Sequence, residues 1–164
     1  IVTGLGGYAG HSHKYKKKGG SGYLFRTSTV QDFSGVTGAC LLVKTAVYDE
    51  MHGLDEQFAV AFNDVDFCLR VRDAGYRIAW TPYAELIHYE SKSRGGDEKD
   101  PVKAVRFAAE QQRLYTIHGK ENILDDPYYN PNLTRDREDF SESDDLRRLK
   151  EGRVTVRFRG GTLQ

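Results

Sequence analysis

The order of apolar and polar stretches along the chain predicts strands and helices in alternation. A continuous apolar run, GACLLVK at 38–44, is bounded by turn residues and predicts a buried strand. Short apolar runs at 76–80 and 84–89 predict two further strands, separated by Thr81 and Pro82. Strands that alternate with helices are typical of an α/β layer architecture, so we expect these three strands to belong to one mixed sheet.

The helical segments have recognisable start and stop signals. Thr45 is expected to cap a short helix that ends before Gly53. The apolar spacing in VDFCLRVRDAG predicts a helix near 65–74. Asp100 followed by proline predicts the start of another helix over 101–118. These helices are expected to flank the sheet.

Composition narrows the function classes. Lys+Arg and Asp+Glu both number 24, so the formal net charge is zero and a nucleic-acid footprint over the whole chain is not expected. No apolar run approaches 18 residues, so we expect no membrane span in this segment. Cys40 and Cys68 lie in apolar sequence, which predicts buried thiols in a reducing compartment. The chain opens with IVTGLGG, which reads as the end of a strand, so we expect a fragment of a longer protein.

The glycine-rich stretch at 4–22 predicts a long loop, which favours a functional role. Its basic run, His13 to Lys18, fits either a solvated loop or a patch for a phosphate-bearing ligand or lipid head group. His11 and His13 have the spacing of a metal pair on a strand, but the surrounding glycines favour a loop.

Two aspartates, Asp64 and Asp66, raise the main chemical question. Asp64 fits the N-cap of the predicted helix, and Asp66 fits its first turn, where negative charge is favoured. A shared metal ion is disfavoured, since residues two apart on a helix point in different directions. A carboxylate fixed at a helix start could also be a general base, and a base and an N-cap are compatible roles for Asp64.

Several motifs follow one another in an order that resembles a known family. They are TGACLLVK, GLDEQF, FNDVDFCLR, AGYRIAWTPYAELIHYESKSRG and DPYYNPNLTRDREDFS, and the resemblance runs from about Gly4 to about Phe140. Together they resemble the second half of the GT-A catalytic domain in family 2 glycosyltransferases, especially bacterial enzymes of cell-surface polysaccharide biosynthesis. The resemblance implies a partial GT-A fold whose nucleotide-binding half is missing. It makes 1–120 the C-terminal half of the catalytic domain and 121–164 an extension packed on it.

The same resemblance assigns roles to individual residues. Asp64 falls where the family has the base that deprotonates the acceptor hydroxyl, and Asn63 replaces the acidic residue that usually precedes it. His88 falls where the family often has a ligand for Mg²⁺ or Mn²⁺; its alternative is a strand-end histidine packed beside Tyr89. The substrate-binding residues expected from the motifs are Thr37, Gly38, Ala39, Asn63, Asp66, Ser91, Ser93 and Arg94.

Two groups of these residues keep structural alternatives. Thr37, Gly38 and Ala39 would lie under the donor sugar, or else form a turn into a strand. The loop 91–96 would cover the diphosphate as a lid, or else be a solvated loop. A further set, Tyr128, Tyr129 and Asn130, fits a hydrophobic clamp better than a sugar-stacking surface.

The implied function is inverting transfer of a sugar from a nucleotide-diphosphate donor to a hydroxyl of a glycan or lipid-linked acceptor. The expected location is cytoplasmic, including the inner face of the membrane, and this fragment alone is expected to be inactive. A non-catalytic carbohydrate-binding or scaffold module derived from the same fold is the alternative. Asn63 favours that alternative, whereas Asp64 and His88 favour the enzyme. A metal-dependent hydrolase lacks a convincing set of ligands.

Overall fold

The computed structural model describes residues 1–14, 16–87, 89 and 100–143, which contain both helices and short strands. The described elements, in chain order, are β1 (Val2–Thr3), β2 (Ala9–Gly10), β3 (Gln31–Asp32), α1 (Thr45–Glu50), α2 (Asn63–Asp73), β4 (Ala79–Trp80), α3 (Pro101–His118) and α4 (Lys120–Leu124). Short 3₁₀ turns lie at Leu5–Gly7, Tyr23–Phe25 and Gly38–Cys40.

The strands form two separate antiparallel pairs. β1 pairs with β2, with Val2 opposite Gly10. β3 pairs with β4, with Gln31 opposite Trp80. The α/β class is therefore confirmed, but within the described ranges the strands make two-stranded ribbons and the predicted mixed sheet is wrong.

The apolar run at 38–44 is not a strand. Gly38–Cys40 is a 3₁₀ turn, and the extended residues after it have no strand partner in the described part of the chain. Cys40 is exposed, and Leu42 keeps 97% of its surface accessible. The prediction of a buried strand fails because an apolar extended segment is buried only where another layer of structure covers it. No element in the described ranges covers Leu42.

The strand predicted at 84–89 is also absent over its described residues. The backbone from 84 to 87 has no ladder partner, and Leu86 and Ile87 are exposed. His88 lies outside the described residues. The first of the two predicted strands is confirmed only in part, because β4 covers Ala79–Trp80 of the predicted 76–80.

The predicted helices are confirmed. The side chain of Asp100 accepts from the N–H of Val102 at 2.9 Å, Pro101 occupies the first turn and Gly119 follows the last residue. Helix α2 ends before Gly75, which has a φ of 90°. Helix α1 begins at Thr45 itself, so Lys44 takes the N-cap position that was predicted for Thr45.

Two apolar clusters hold these elements together. Helices α2 and α3 meet α4 in a cluster of Phe58, Val65, Leu69, Leu114 and Ile123. The segment after α4 packs on β1 through Val2, Leu5, Tyr129, Leu133 and Phe140. Cys68 is buried on the inner face of α2, as predicted, whereas the prediction that Cys40 is buried is wrong.

The segment after α4 is fastened by polar contacts as well. Buried Asp126 accepts from the Thr3 N–H and from the Ser34 hydroxyl, both at 2.8 Å. Tyr129 donates its hydroxyl to the Thr134 carbonyl at 2.7 Å. Tyr129 therefore fastens the segment after α4 to the rest of the domain, which is the hydrophobic clamp that the sequence favours. The division of the chain at residue 120 stays a prediction.

Candidate functional site

Asp64 lies in the first turn of α2, where its carboxylate meets a separate turn of the chain. Its Oδ2 accepts from the Gly38 N–H at 2.8 Å, and its Oδ1 accepts from the N–H of Val65 at 2.8 Å. Asn63 is already helical and Phe62 holds the cap position, which corrects the prediction that Asp64 is the N-cap. Each carboxylate oxygen has two acceptor positions, so both retain one for a substrate hydroxyl.

Phe62 brings the chain into this helix in an unusual conformation. Its φ of 64° lies in the left-handed region, which is disfavoured for a side chain of this kind. Its ring packs against those of Tyr8 and Phe107, at centroid distances of 6.3 Å and 5.2 Å. Such conformations persist where packing fixes them, so the aromatic contacts determine how the chain enters the turn that bears Asp64.

The predicted donor-side residues lie beside the predicted base. A Cβ placed on Gly38 would lie 3.4 Å from the Cβ of Asp64, so the two segments pack directly against each other. Thr37 accepts from the Ala39 N–H at 3.3 Å and closes the turn. The structure thus brings Thr37, Gly38 and Ala39 together with Asp64, while their role in binding a sugar stays a prediction.

A large open cavity borders this turn. It has a volume of about 1220 Å³, and Thr37, Ala39 and Cys68 line it near Asp64. The exposed residues Leu42, Leu86 and Ile87 line other parts of it, together with the half-buried Leu41 and Val43. Gly38, whose N–H binds Asp64, lies between the lining residues Thr37 and Ala39, so the carboxylate contacts the turn that forms part of the cavity wall.

Asp66 has a different environment from Asp64. Its side chain is 1% exposed, and His118 donates to its Oδ1 at 2.8 Å. Arg70 donates to its Oδ2 from Nε at 3.0 Å and from Nη2 at 2.8 Å. Both oxygens therefore have protein partners, and we assign Asp66 a structural role in place of the substrate contact predicted from the sequence.

The charge of Asp66 is stabilised by these partners. Burial alone would raise the pKa of Asp66, but the hydrogen bonds from His118 and Arg70 hold it below its ordinary value. Arg70 also donates to the Gly53 carbonyl at 2.9 Å and to the carbonyl of Met51. One buried carboxylate thus links the end of α3, helix α2 and the turn that follows α1.

Helix α3 holds the loop that leads to Asp64, a contact that sequence analysis missed. Glu110 is 4% exposed and accepts from the N–H groups of Val60 at 3.1 Å and Ala61 at 2.9 Å. One helical turn later, Arg113 forms an ion pair with Asp55 at 2.6 Å. About 50 residues separate these partners in sequence, so no local pattern could have revealed the contact.

We expect Glu110→Gln to lower the rate of the sugar transfer that the sequence analysis predicts for the full gene product by about tenfold. That change corresponds to about 1.4 kcal/mol in activation free energy. The glutamine keeps one acceptor oxygen, but its amide nitrogen faces a second N–H group and leaves that group unpaired. The measurement is kcat per folded molecule, with KM and the melting temperature recorded beside it. Glu121→Gln, at an exposed position on α4, is the matched control; equal kcat values for the two variants would show that Glu110 does not position the site.

The remaining predicted ligands do not form a metal site in the described residues. His13 packs on the Phe140 ring at 4.4 Å and its Nε2 accepts from the Tyr23 N–H at 3.3 Å. Burial, with Lys16 and Arg26 nearby, lowers the pKa of His13 to about 4, so the ring is neutral at pH 7. Within the described ranges, no three His, Cys, Asp or Glu side chains converge as metal ligands would. His88, Ser91, Ser93 and Arg94 lie outside those ranges.

None of the helices in the described ranges is both long enough and apolar enough to cross a membrane.

Comparison with known proteins finds relatives in bacterial polysaccharide biosynthesis. The uncharacterized protein y4gI of Sinorhizobium fredii is 46% identical over 141 residues, which are 85% of this chain and 15% of that protein. The O-antigen biosynthesis protein RfbC of Myxococcus xanthus is 34% identical over 136 residues, 82% of this chain and 10% of that protein. An N-acetylglucosaminyl-diphospho-decaprenol L-rhamnosyltransferase of Mycobacterium tuberculosis is 34% identical over 80 residues, 49% of this chain and 24% of that protein.

This chain therefore spans 10% to 24% of the length of these relatives. No protein-family model matches it, and no solved structure matches it. The similarity to relatives named for O-antigen biosynthesis and rhamnosyl transfer indicates a glycosyltransferase-like protein.

Proposed function

We propose that this chain forms the acceptor-side part of an inverting, family 2 glycosyltransferase of the GT-A fold. The enzyme would move a sugar from a nucleotide-diphosphate donor to a hydroxyl of a glycan or lipid-linked acceptor. The names of the relatives support glycosyl transfer in general. The observation that carries the proposal is the carboxylate of Asp64, which two backbone N–H groups hold, one of them from the turn whose residues Thr37 and Ala39 line the large cavity.

In this proposal Asp64 accepts the proton of the acceptor hydroxyl as that oxygen attacks the anomeric carbon. The N–H groups of Gly38 and Val65 fix the orientation of the carboxylate and leave an acceptor position on each oxygen. The attack comes from the face opposite the nucleotide, so the configuration of the sugar inverts. A positioned base of this kind typically supplies about 10²–10⁴-fold in rate.

The turn at Thr37–Ala39 would leave room for the donor sugar. Its residues are small, and it lies on the wall of the large cavity next to the base. The loop with Ser91, Ser93 and Arg94 would supply hydrogen-bond donors to the diphosphate.

A divalent cation is part of the proposal only for the whole enzyme. Mg²⁺ or Mn²⁺ would neutralise the departing diphosphate, with His88 as one ligand. The described residues do not supply a complete ligand set, so the steps assigned to this chain do not depend on the metal.

The proposal is tested by supplying the full gene product with a panel of nucleotide-diphospho-sugars and a lipid-linked glycan acceptor. We expect release of nucleoside diphosphate with one donor, and NMR of the product should show inverted anomeric configuration. Retained configuration would contradict the role of Asp64 as a base in a single displacement.

The second candidate function, a non-catalytic carbohydrate-binding module, is favoured by Asn63 at the position of the usual acidic residue. Glycan binding by the full gene product without turnover of any donor would support this second function.

A further inference from the structure

A second cavity, formed in part by the residue that caps α2, has no role in the steps above. Its volume is about 540 Å³, and Phe62, two residues before Asp64, forms part of its wall. Ligand sites for small molecules typically have about 300–1,000 Å³. We call it the Phe62 cavity; its lining residues are Leu5, Gly6, Tyr8, Ala9, Gly10, Phe62, Phe107, Gln111, Arg135, Asp136, Arg137 and Glu138.

One part of the Phe62 cavity is aromatic. The Phe62 ring contacts those of Tyr8 and Phe107, so the three side chains form one continuous apolar surface. Tyr8 also stacks on Tyr115 at 4.5 Å, a second aromatic contact that holds its ring in place. Rigid aromatic surfaces of this type suit the C–H faces of a pyranose ring.

The other part of the cavity is polar and electrically balanced. The consecutive residues Arg135, Asp136, Arg137 and Glu138 contribute two positive and two negative charges, and Gln111 adds an amide. The side chains present both donors and acceptors, which a polyhydroxylated ligand requires. A phosphate site would need an excess of positive charge, and a lipid-chain site would need a wholly apolar wall.

We propose that the Phe62 cavity binds an uncharged sugar ring of the acceptor glycan. This inference rests on the proposed function and adds to it the substrate class of the acceptor and the place where it binds. Phe62, which lines the cavity, precedes Asp64 by two residues, so the cavity and the predicted base belong to the same stretch of chain at the start of α2.

Gln111 offers a way to fill the cavity without touching the base. It lies on α3 and lines the cavity, whereas its neighbour Gln112 is exposed and does not line it. Gln111→Trp should occupy the space of the ligand, and Gln112→Trp adds the same side chain outside the cavity. Both substitutions fall in the helix interior, so they carry the same change in helix propensity, and the melting temperature of each variant shows whether it folds.

The experiment measures binding of methyl glycosides of glucose, galactose, rhamnose and N-acetylglucosamine to the full gene product by saturation-transfer NMR. We expect at least one glycoside to bind, and we expect Gln111→Trp to raise its Kd by about tenfold or more, as loss of most cavity contacts implies. Gln112→Trp should leave that Kd unchanged. Inorganic phosphate and phosphatidylglycerol vesicles serve as competitors, and neither should displace the glycoside.

Failure of this inference is separable from failure of the proposed function. Equal Kd values for the two tryptophan variants, displacement by phosphate or vesicles, or absence of glycoside binding would overturn the sugar-binding role of the cavity. Asp64→Asn provides the second arm, since it should keep glycoside binding and lose transfer. If Asp64→Asn transfers at the wild-type rate while Gln111→Trp loses binding, the proposed base is wrong and the cavity assignment stands.

Discussion

Replacing Asp66 with alanine should lower the free energy of unfolding by about 3–5 kcal/mol, as expected when one partner of a buried ion pair is removed. The variant leaves Arg70 and His118 without the carboxylate that both contact, and the His118 side chain is only 4% exposed. Because these contacts join α2 to the end of α3, we expect the loss to appear in global unfolding. Chemical denaturation, read by circular dichroism, measures it.

Asp73→Ala on the same helix is the matched control for Asp66→Ala. Asp73 is exposed and pairs with Arg72 at 3.3 Å, so its removal should change the free energy of unfolding by no more than about 1 kcal/mol. Equal destabilisation by the two substitutions would contradict the structural role of Asp66.

Acid should remove the same contribution from the wild-type protein. The pKa of Asp66 lies below its ordinary value, which is about 3.9. The stability that the charged carboxylate supplies is therefore complete above pH 4 or so and is lost as the pH falls through the lowered pKa. The Asp66→Ala variant lacks this carboxylate and so has no such contribution to lose in acid. The difference in free energy of unfolding between the wild type and Asp66→Ala should therefore shrink below about pH 4.

Asp64→Asn should lower the steady-state transfer rate of the full gene product by about 10²–10⁴-fold. Asparagine has nearly the same size, and its carbonyl oxygen can still accept from the Gly38 N–H. Its amide nitrogen cannot take a proton and faces the Val65 N–H, which is only partly buried and stays within reach of water. Donor affinity should stay nearly unchanged, because the lost function is needed only in the transition state. The melting temperature should also stay close to that of the wild type.

Asp49→Asn is the matched control for this variant, since Asp49 is an exposed carboxylate on α1. It should transfer at the wild-type rate. A comparable loss in both variants would point to a general effect of removing negative charge, and the assignment of Asp64 as a base would then have no kinetic support.

The helices could be predicted from the sequence because their signals are local. Asp100, Pro101 and Gly119 each act within one turn of α3, and the apolar spacing near 65–74 predicted helix α2. The boundary of α2 was harder to predict. Phe62 adopts a left-handed conformation at the cap position, which aromatic packing from distant residues stabilises and no short pattern encodes.

The strands could not be predicted equally well, because burial of a strand depends on what lies next to it. The run 38–44 has the composition of a core strand, yet Leu42 is almost fully exposed in the structure. The pairing of β3 with β4 joins residues more than 40 positions apart, and Gln31 and Asp32 carry no apolar pattern that would mark a strand.

Sequence analysis grouped Asp64 with the turn that it contacts, but it did not reveal the residues that support this region. The motif around Asp64 identified that carboxylate and the turn at 37–39 beside it, and the structure brings the two together. Glu110 and His118 reach the same region from α3, across about 50 residues of sequence, and only the folded chain shows this. Asp66 was grouped with the substrate ligands because of its position next to the base, whereas its burial reveals a structural role.

The most direct test of the account is the single-turnover rate of transfer, measured with enzyme in excess over the donor and at saturating concentrations of enzyme and acceptor. Under these conditions the rate reports the chemical step, free of the product release that limits kcat in many enzymes. We expect the wild-type protein to exceed Asp64→Asn by about 10²-fold or more, with Asp49→Asn matching the wild type. Equal single-turnover rates for the wild type and Asp64→Asn would show that Asp64 is not the base and would contradict the proposed mechanism.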